Sequence, residues 1–541
     1  MRRMAWLLAA LVLAAYLGMS GRAEDAPSPF TAHDTCALCH DETSRGSAMR
    51  DAEDRNVAPV DLWRSSMMAN AARDPLWRAV VALEAAATPS RAAEIEGVCL
   101  RCHAPMATPG TRLADLDRGG EAVALGADGV SCTVCHQVRP DGLGTAATFS
   151  GRFRIGEDAE IYGPHLAPFA NPMRRHSGYT PTASDHVLDP ALCGSCHTLY
   201  TDALSPSGEA TGARLPEQTP YLEWLNSAFA EGPARRTCRD CHLPTVDVDD
   251  VPIRTRIAHN PGGRDFPPTS PRSPFGRHVL VGGNALTPKL LRSEGHAPQA
   301  AFDETLARVQ EQLETAARLG VTYVERTEGR LRVDVRIENL AGHRLPTAHP
   351  TRRVWLALEV LDEAGETLFA SGAFDTQGRI VGTDGAPLRI ERAGGPVAPH
   401  QDRIRAPSEV ALYEARMADA EGRPTWLLTR GANYAKDDRL LPRGWRADGP
   451  WPEETKPKGV AEDADFAAGS DVVHYDVACD LPPERAFVLN VRLLHQTIGA
   501  RWLAELLALD LPQTERLRAV LAGADLRPSV LARATYRVEP R

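Results

Sequence analysis

The sequence predicts an α+β chain of more than one domain, a mainly helical and irregular N-terminal region followed by an antiparallel β-sandwich. Three observations carry this. The chain has 541 residues, too many for one ordinary core. A five-residue frame, Cys-x-x-Cys-His, occurs five times, and every copy lies between residues 36 and 242. From about residue 321 the apolar residues alternate along short stretches bounded by turn signals, which is the pattern of half-buried strands.

Residues 1–23 read as a secretory signal peptide. Arg2 and Arg3 form a positive start, Met4 to Met19 is an apolar run, and Gly21-Arg-Ala23 offers small residues for cleavage. An uncleaved anchor helix is the alternative, but the run is short for a bilayer span of about 20 residues. The expectation is a mature protein that is periplasmic or secreted, soluble or held to a membrane by a partner.

Residues 24–300 hold all five frames, at Cys36–His40, Cys99–His103, Cys132–His136, Cys193–His197 and Cys238–His242. Ten of the eleven cysteines are used in this way. In an oxidising space disulfides are the first explanation to weigh, and paired zinc-binding CxxC units the second. Neither requires the histidine. Histidine is 17 of 541 residues, so finding it after all five pairs by chance has a probability of about 3 in 10⁸. CxxCH is the attachment frame of c-type haem. The two sulfurs bond to the two vinyl groups of one porphyrin, and the adjacent imidazole becomes the proximal iron ligand. The expected cofactors are therefore five covalently attached haem c groups. Cys36, Cys39, Cys99, Cys102, Cys132, Cys135, Cys193, Cys196, Cys238 and Cys241 would hold them, with His40, His103, His136, His197 and His242 on the iron. Cys479 has no such frame and is expected to be a buried core residue.

The frame region is rich in Gly and Pro and has few long periodic elements. One helical pair is expected in "DLWRSSMMANAARDPLWRAVVALEAAA", with Asp61 capping the first helix and Asp74-Pro75 ending it and starting the second. A linking helix is expected at 301–320, where Leu306, Val309, Leu313 and Ala317 share a face and Gly320 ends it. The sandwich, 321–541, should contain "LRVDVRI", "VWLALEV", "TLFASG", "VVHYDVA", "AFVLNVRLLHQTI" and "ATYRVEP" as strands. A helical insertion is expected near "RWLAELLALDLPQTERLRAVLAG".

Beyond the frames, "LWRSSMM", "IYGPH", "EQTPYLEW" and "GRHVLVGGN" resemble periplasmic multihaem cytochromes of the cytochrome c-552/4 type. These are related to nitrifier tetrahaem cytochrome c and, more distantly, to multihaem nitrite reductase and hydroxylamine oxidoreductase. "NLAGHRLPTAHPTRR", "YAKDDRLLPRGW" and "GSDVVHYDV" are similar to the sandwich appended to some bacterial multihaem cytochromes. The resemblance implies distal iron ligands, for which His165, His176, His186 and His278 lead. His33, His259 and His296 follow. His343 is read as locking a turn, and His349, His400, His474 and His495 as structural. In the resembled family a Trp-x-x-Ser-x-His element offers its histidine to an iron. Here Met68 stands at that place, either as a thioether ligand that raises the potential or, with Met67, as packing. The looser copy from Trp224 ends in Phe229, which cannot ligate iron.

Net charge is −10 with acids and bases mixed and no long basic run, which excludes nucleic acid as a partner. The expected partners are redox proteins, with peripheral association to a membrane complex as a further possibility. The expected function is an electron carrier in respiratory electron transfer. The alternative is an oxidoreductase with one open iron acting on a small nitrogen or sulfur compound. The carrier is favoured because multihaem nitrite reductases typically end one frame in Lys, and all five here end in His. A third role, docking of the sandwich onto a partner, ranks below simple covering of the haem core.

Overall fold

The computed structural model describes residues 28–292, 297–479 and 482–540. The leader reading, residues 1–23, and His296 fall outside them. An N-terminal region of short helices and loops packs against a C-terminal, strand-rich region, so the α+β reading holds.

Four of the five frames sit on short helices that reach their histidine: His33–His40, Ala92–His103, Cys132–Gln137 and Cys238–His242. In the fourth, the helix Pro190–Gly194 stops inside the frame. One helical turn brings a cysteine pair to one side, and local capping starts the turn. At the fifth frame Thr237 and Asp240 form a reciprocal capping box, and at the fourth Asp189 accepts from the Ala191 N–H. The region also forms two small sheets that periodicity did not announce. Glu160–Gly163 pairs in parallel with Thr180–Ala183, and Leu199–Leu204 with Ala210–Gln218 as a hairpin.

The helical pair departs from expectation at its first member. That helix is Pro59–Arg64, and residues 65–74 run as successive turns. Asp61 lies inside it, where its carboxylate accepts from the Glu42 N–H at 2.7 Å. The second helix, Pro75–Ala87, starts as expected, with Asp74 accepting from the N–H groups of Leu76 and Trp77. The linking helix is shorter than predicted. It spans Gln299–Glu314 and buries Phe302, Thr305, Val309 and Leu313. Ala317 and Gly320 belong instead to the first sandwich strand, Ala317–Thr327, whose β-branched and alternating residues outweigh the helical spacing.

The sandwich consists of a seven-stranded sheet and a four-stranded sheet. At the centre of the larger sheet, Arg353–Asp362 pairs antiparallel with Phe487–Gln496, which in turn pairs with Ser529–Val538. The smaller sheet runs from Ala317–Thr327 through Arg330–Asn339 to Ser470–Ala478. A two-residue strand, Arg403–Ile404, adds to that edge in parallel, the one departure from antiparallel pairing in these two sheets. Leu331, Val333, Val335 and Ile337 face the core, opposite Leu356, Leu358, Leu489 and Leu493, and all are fully buried. Alternation places every second side chain on one face, so two such strands suffice to specify which face is inward. Helices Ala500–Leu506 and Pro512–Leu521 form the insertion before the last strand. Cys479 is buried, as its lack of a frame implied.

The core does not stop at the border between the two regions. Ala48, Met49, Leu62, Phe275 and Val281 belong to the same apolar cluster as the sandwich interior. Leu76, Val80 and Leu83 pack with Met417, Trp502 and Leu517. The buried Glu84 carboxylate accepts from the N–H groups of Leu428 and Thr429, an obligatory polar bridge across the same border.

A buried charged site stabilises the sandwich edge. His400 bonds through Nδ1 to Asp438 (3.0 Å) and through Nε2 to Asp463 (2.8 Å). Burial disfavours its charge, but the bonds to Asp438 and Asp463 prevail and lift its pKa to about 9 from 6.5. A pKa raised on folding adds stability that is present in full below 6.5 and is lost as pH climbs to about 9. Thermal unfolding should therefore show a fall in Tm between pH 6 and pH 9.5, and His400→Asn should remove most of that pH-dependent step. A step of equal size in the variant would refute this assignment.

Candidate haem-binding site

All ten frame cysteines and all five frame histidines line one continuous cavity of about 1800 Å³. That exceeds the range of about 300–1,000 Å³ usual for single small-molecule sites. None of the ten cysteines is in a disulfide.

Four of the five imidazoles share a second feature. Nδ1 of His40, His136 and His242 bonds to the carbonyl oxygens of Ile257 (2.8 Å), Tyr162 (2.6 Å) and Val281 (2.7 Å). His103 does the same, more loosely, with Ala71 at 3.3 Å. A carbonyl only accepts, so Nδ1 carries the proton and Nε2 is left with its lone pair. This is how metal-binding histidines are oriented by their surroundings. Burial keeps the rings neutral, and His103 and His197 are pushed down to about 4. Burial also pushes the Cys135 thiol up to about 12. Thiol pairs, neutral imidazoles with free Nε2 and an apolar enclosure together fit covalently held haem c. The cysteines would carry the porphyrins and the histidines the irons, and the group supplies one-electron chemistry when bound.

Contacts between frames define an order in space that the chain order conceals. Cys36 of the first frame lies against Cys132 of the third. Cys135 of the third is close to Cys193 and Cys196 of the fourth. The fourth touches the second through Cys196 and Cys102, and the fifth through Cys193 and Cys238. The frames thus run first, third, fourth, and branch there to the second and fifth.

Glycines allow this crowding. Gly129 has φ of +67°, and a Cβ there would lie 2.6 Å from the Ala69 carbonyl oxygen. Gly194, inside the fourth frame, admits the Tyr221 ring where a Cβ would meet it at 2.6 Å. Gly129→Ala should lower the yield of fully loaded protein, read as haem per chain by pyridine haemochrome absorbance. Unchanged loading and unchanged Tm would show that the backbone gives way.

The other anticipated residues divide clearly. His278 lines the cavity, with Nδ1 on the Gly276 carbonyl (3.0 Å) and its ring centre 6.3 Å from that of His136 at an interplanar angle of 27°. Metal–imidazole bonds are about 2 Å, so two imidazoles on opposite faces of one metal have ring centres roughly 6 Å apart. His165 and His176 also line the cavity, the latter exposed at its mouth on the helix Ala170–Ser177, which packs against the helix of the first frame. His186 does not belong to this set. Its Nε2 bonds to the Val138 carbonyl (2.8 Å) and its Nδ1 to Ser184 (2.7 Å), so both nitrogens are used in bracing the loop after the third frame. His33 and His259 lie outside the cavity lining and are likewise committed, to Asp128 and to Asn260 and Asp41. Met68 lines the cavity but packs on Ala71, Met106, Val130 and Val134.

Three histidines read from sequence as structural line the cavity as well: His343, His349 and His495. His400 and His474 do not. The motif "AGHRLPTAHPT" contained two of the three, but nothing in the local pattern says that the loop carrying them faces another domain.

Residues 35–137 match the family model described as cytochrome c554 and c-prime. No curated protein matches the chain in sequence. Among solved structures, the chain is similar to a penta-heme cytochrome c552 from Thermochromatium tepidum. Identity is 16% and the TM-score 0.51, over 95% of this chain and 100% of that one. The five frames, the cavity they share and these likenesses support the reading of the chain as a multihaem c-type cytochrome. Its C-terminal β-sandwich is part of the same architecture, since the fold likeness extends over nearly the whole chain.

Proposed function

We propose that this cytochrome carries five haem c groups and relays electrons between exported redox partners in respiratory electron transfer. The observation that carries the reading is the arrangement of five frames around one cavity, each close to at least one other, as a relay requires. The count of five follows from the frames and is in keeping with the penta-heme neighbour. His278 opposite His136 favours a closed, non-catalytic iron at the third frame, and His176, on a helix packed against that of the first frame, is the candidate there. Export rests on the leader reading. Among the described residues no helix is long and apolar enough to cross a membrane. Donor and acceptor are redox proteins, and docking at a membrane complex would be peripheral.

Electron paramagnetic resonance of the oxidised protein tests the carrier role. Low-spin ferric signals accounting for all haems are expected. A substantial high-spin signal that shifts with nitrite or hydroxylamine would instead make the protein an oxidoreductase with an open iron. Met68→Ala should leave the highest reduction potential unchanged, because the residue packs on an aliphatic cluster. A fall in that potential, with loss of a near-infrared sulfur-to-iron band, would make Met68 a ligand.

A further inference from the structure

We propose that the sandwich completes a haem site, with His343 as the axial ligand opposite His242 of the fifth frame. The inference rests on the haem-binding reading above, and it assigns a role to a residue far outside the stretch matched by the family model. His343 lies just after the strand Arg330–Asn339, in the C-terminal region, and lines the cavity. Its ring centre is 6.5 Å from that of His242, and the rings are 16° from parallel. This is the same relation as that of His136 and His278, and it suits two imidazoles sharing one metal. Its Nδ1 bonds to the Arg344 carbonyl at 2.9 Å, as Nδ1 of four of the frame histidines bonds to carbonyls, so Nε2 holds the lone pair. Among the described residues no hydrogen bond reaches that Nε2. A histidine that only locked a turn would not need to leave this nitrogen facing an apolar cavity.

The loop is built to hold the ring still. Asn339 donates to the His343 carbonyl at 2.9 Å and to the carbonyls of Leu440 and Leu441. The Arg344 N–H and the Thr347 hydroxyl both donate to Glu223, a fully buried residue of the haem-region helix Pro220–Leu225. The Arg344 guanidinium is paired with Asp437 inside the sandwich. One polar network therefore clamps the His343 loop to both regions. With His343 as ligand, unfolding the sandwich releases an iron ligand, so the two regions unfold as one unit.

The experiment uses the full-length, haem-loaded protein. His343→Ala should convert one haem equivalent from low-spin to high-spin ferric in the paramagnetic resonance spectrum, and added imidazole should restore the low-spin signal. His343→Met keeps a ligand and guards against misfolding. It should raise one of the reduction potentials and introduce a near-infrared sulfur-to-iron band. His474→Ala, in the same sandwich but outside the cavity, should change none of these. If the wild type carries its haems in low-spin form and both His343 variants leave spectrum and potentials unaltered, the assignment is wrong while the carrier reading stands. If the wild type lacks covalent haem, the underlying reading fails first.

Discussion

Replacing Cys132 and Cys135 together with Ala should take the intact mature chain from five haems to four, by a mass difference of one haem group. With both sulfurs of the frame gone no thioether can form there, and each frame serves only its own porphyrin. The loss reaches further than one cofactor. The third frame stands between the first and the fourth, with Cys36 against Cys132 and Cys135 near Cys193 and Cys196. A haem missing there leaves a large cavity in the shared interior, which its neighbours cannot collapse to fill. The variant should unfold at a much lower temperature. Electron exchange between the first-frame haem and the others should slow, as stopped-flow absorbance would record. A wild-type mass without haem, or one matching disulfide-bonded cysteines, would overturn the description of the site itself.

The second large effect is expected inside the sandwich. Arg353 lies on the central strand of the larger sheet and is 1% exposed. Its guanidinium bonds to both carboxylate oxygens of buried Glu391, at 2.5 and 2.9 Å, and to Gln496 at 2.8 Å. Arg353→Leu would strand the Glu391 carboxylate without its counter-charge. Breaking such a pair costs about 3–5 kcal/mol, far more than an exposed pair of about 0–1 kcal/mol. Tm should fall by about 3–5 °C, since the two regions unfold as one unit. The double variant Arg353→Leu, Glu391→Leu should recover more than half of that loss, because no unpaired charge remains. A single-variant cost under about 1 kcal/mol would mean that water reaches the pair.

The strands of the sandwich were readable because alternation is a local property. Leu331 to Ile337 and Val354 to Val360 carry their inward face in their spacing, and both segments bury it as expected. Helix limits were harder. The spacing Leu306, Val309, Leu313, Ala317 continues a helical stripe past Glu314, yet pairing with Arg330–Asn339 recruits Ala317 into a strand. Similarly, "DLWRSSMMAN" scores as a helix, but residues 65–74 turn repeatedly around Asn70, whose amide donates to the Arg64 and Ser66 carbonyls. In the first place a tertiary strand partner, and in the second a local side-chain amide, took the place of bonds along a helix.

The sequence by itself determined the chemistry of attachment. Two cysteines and a histidine within five residues need only one turn of backbone to present both sulfurs and a nitrogen together, so the frame is its own evidence. It also determined that a strand-rich second region follows. Only the tertiary structure decided which histidine stands opposite which. His278 meets His136, and His343 meets His242, across long stretches of chain, while His186, which looked equivalent, spends both nitrogens on Ser184 and Val138. An imidazole becomes a ligand through the direction its free nitrogen faces, and that direction is set by a carbonyl, a loop clamp and a neighbouring domain, none of which leaves a mark beside the histidine in the sequence.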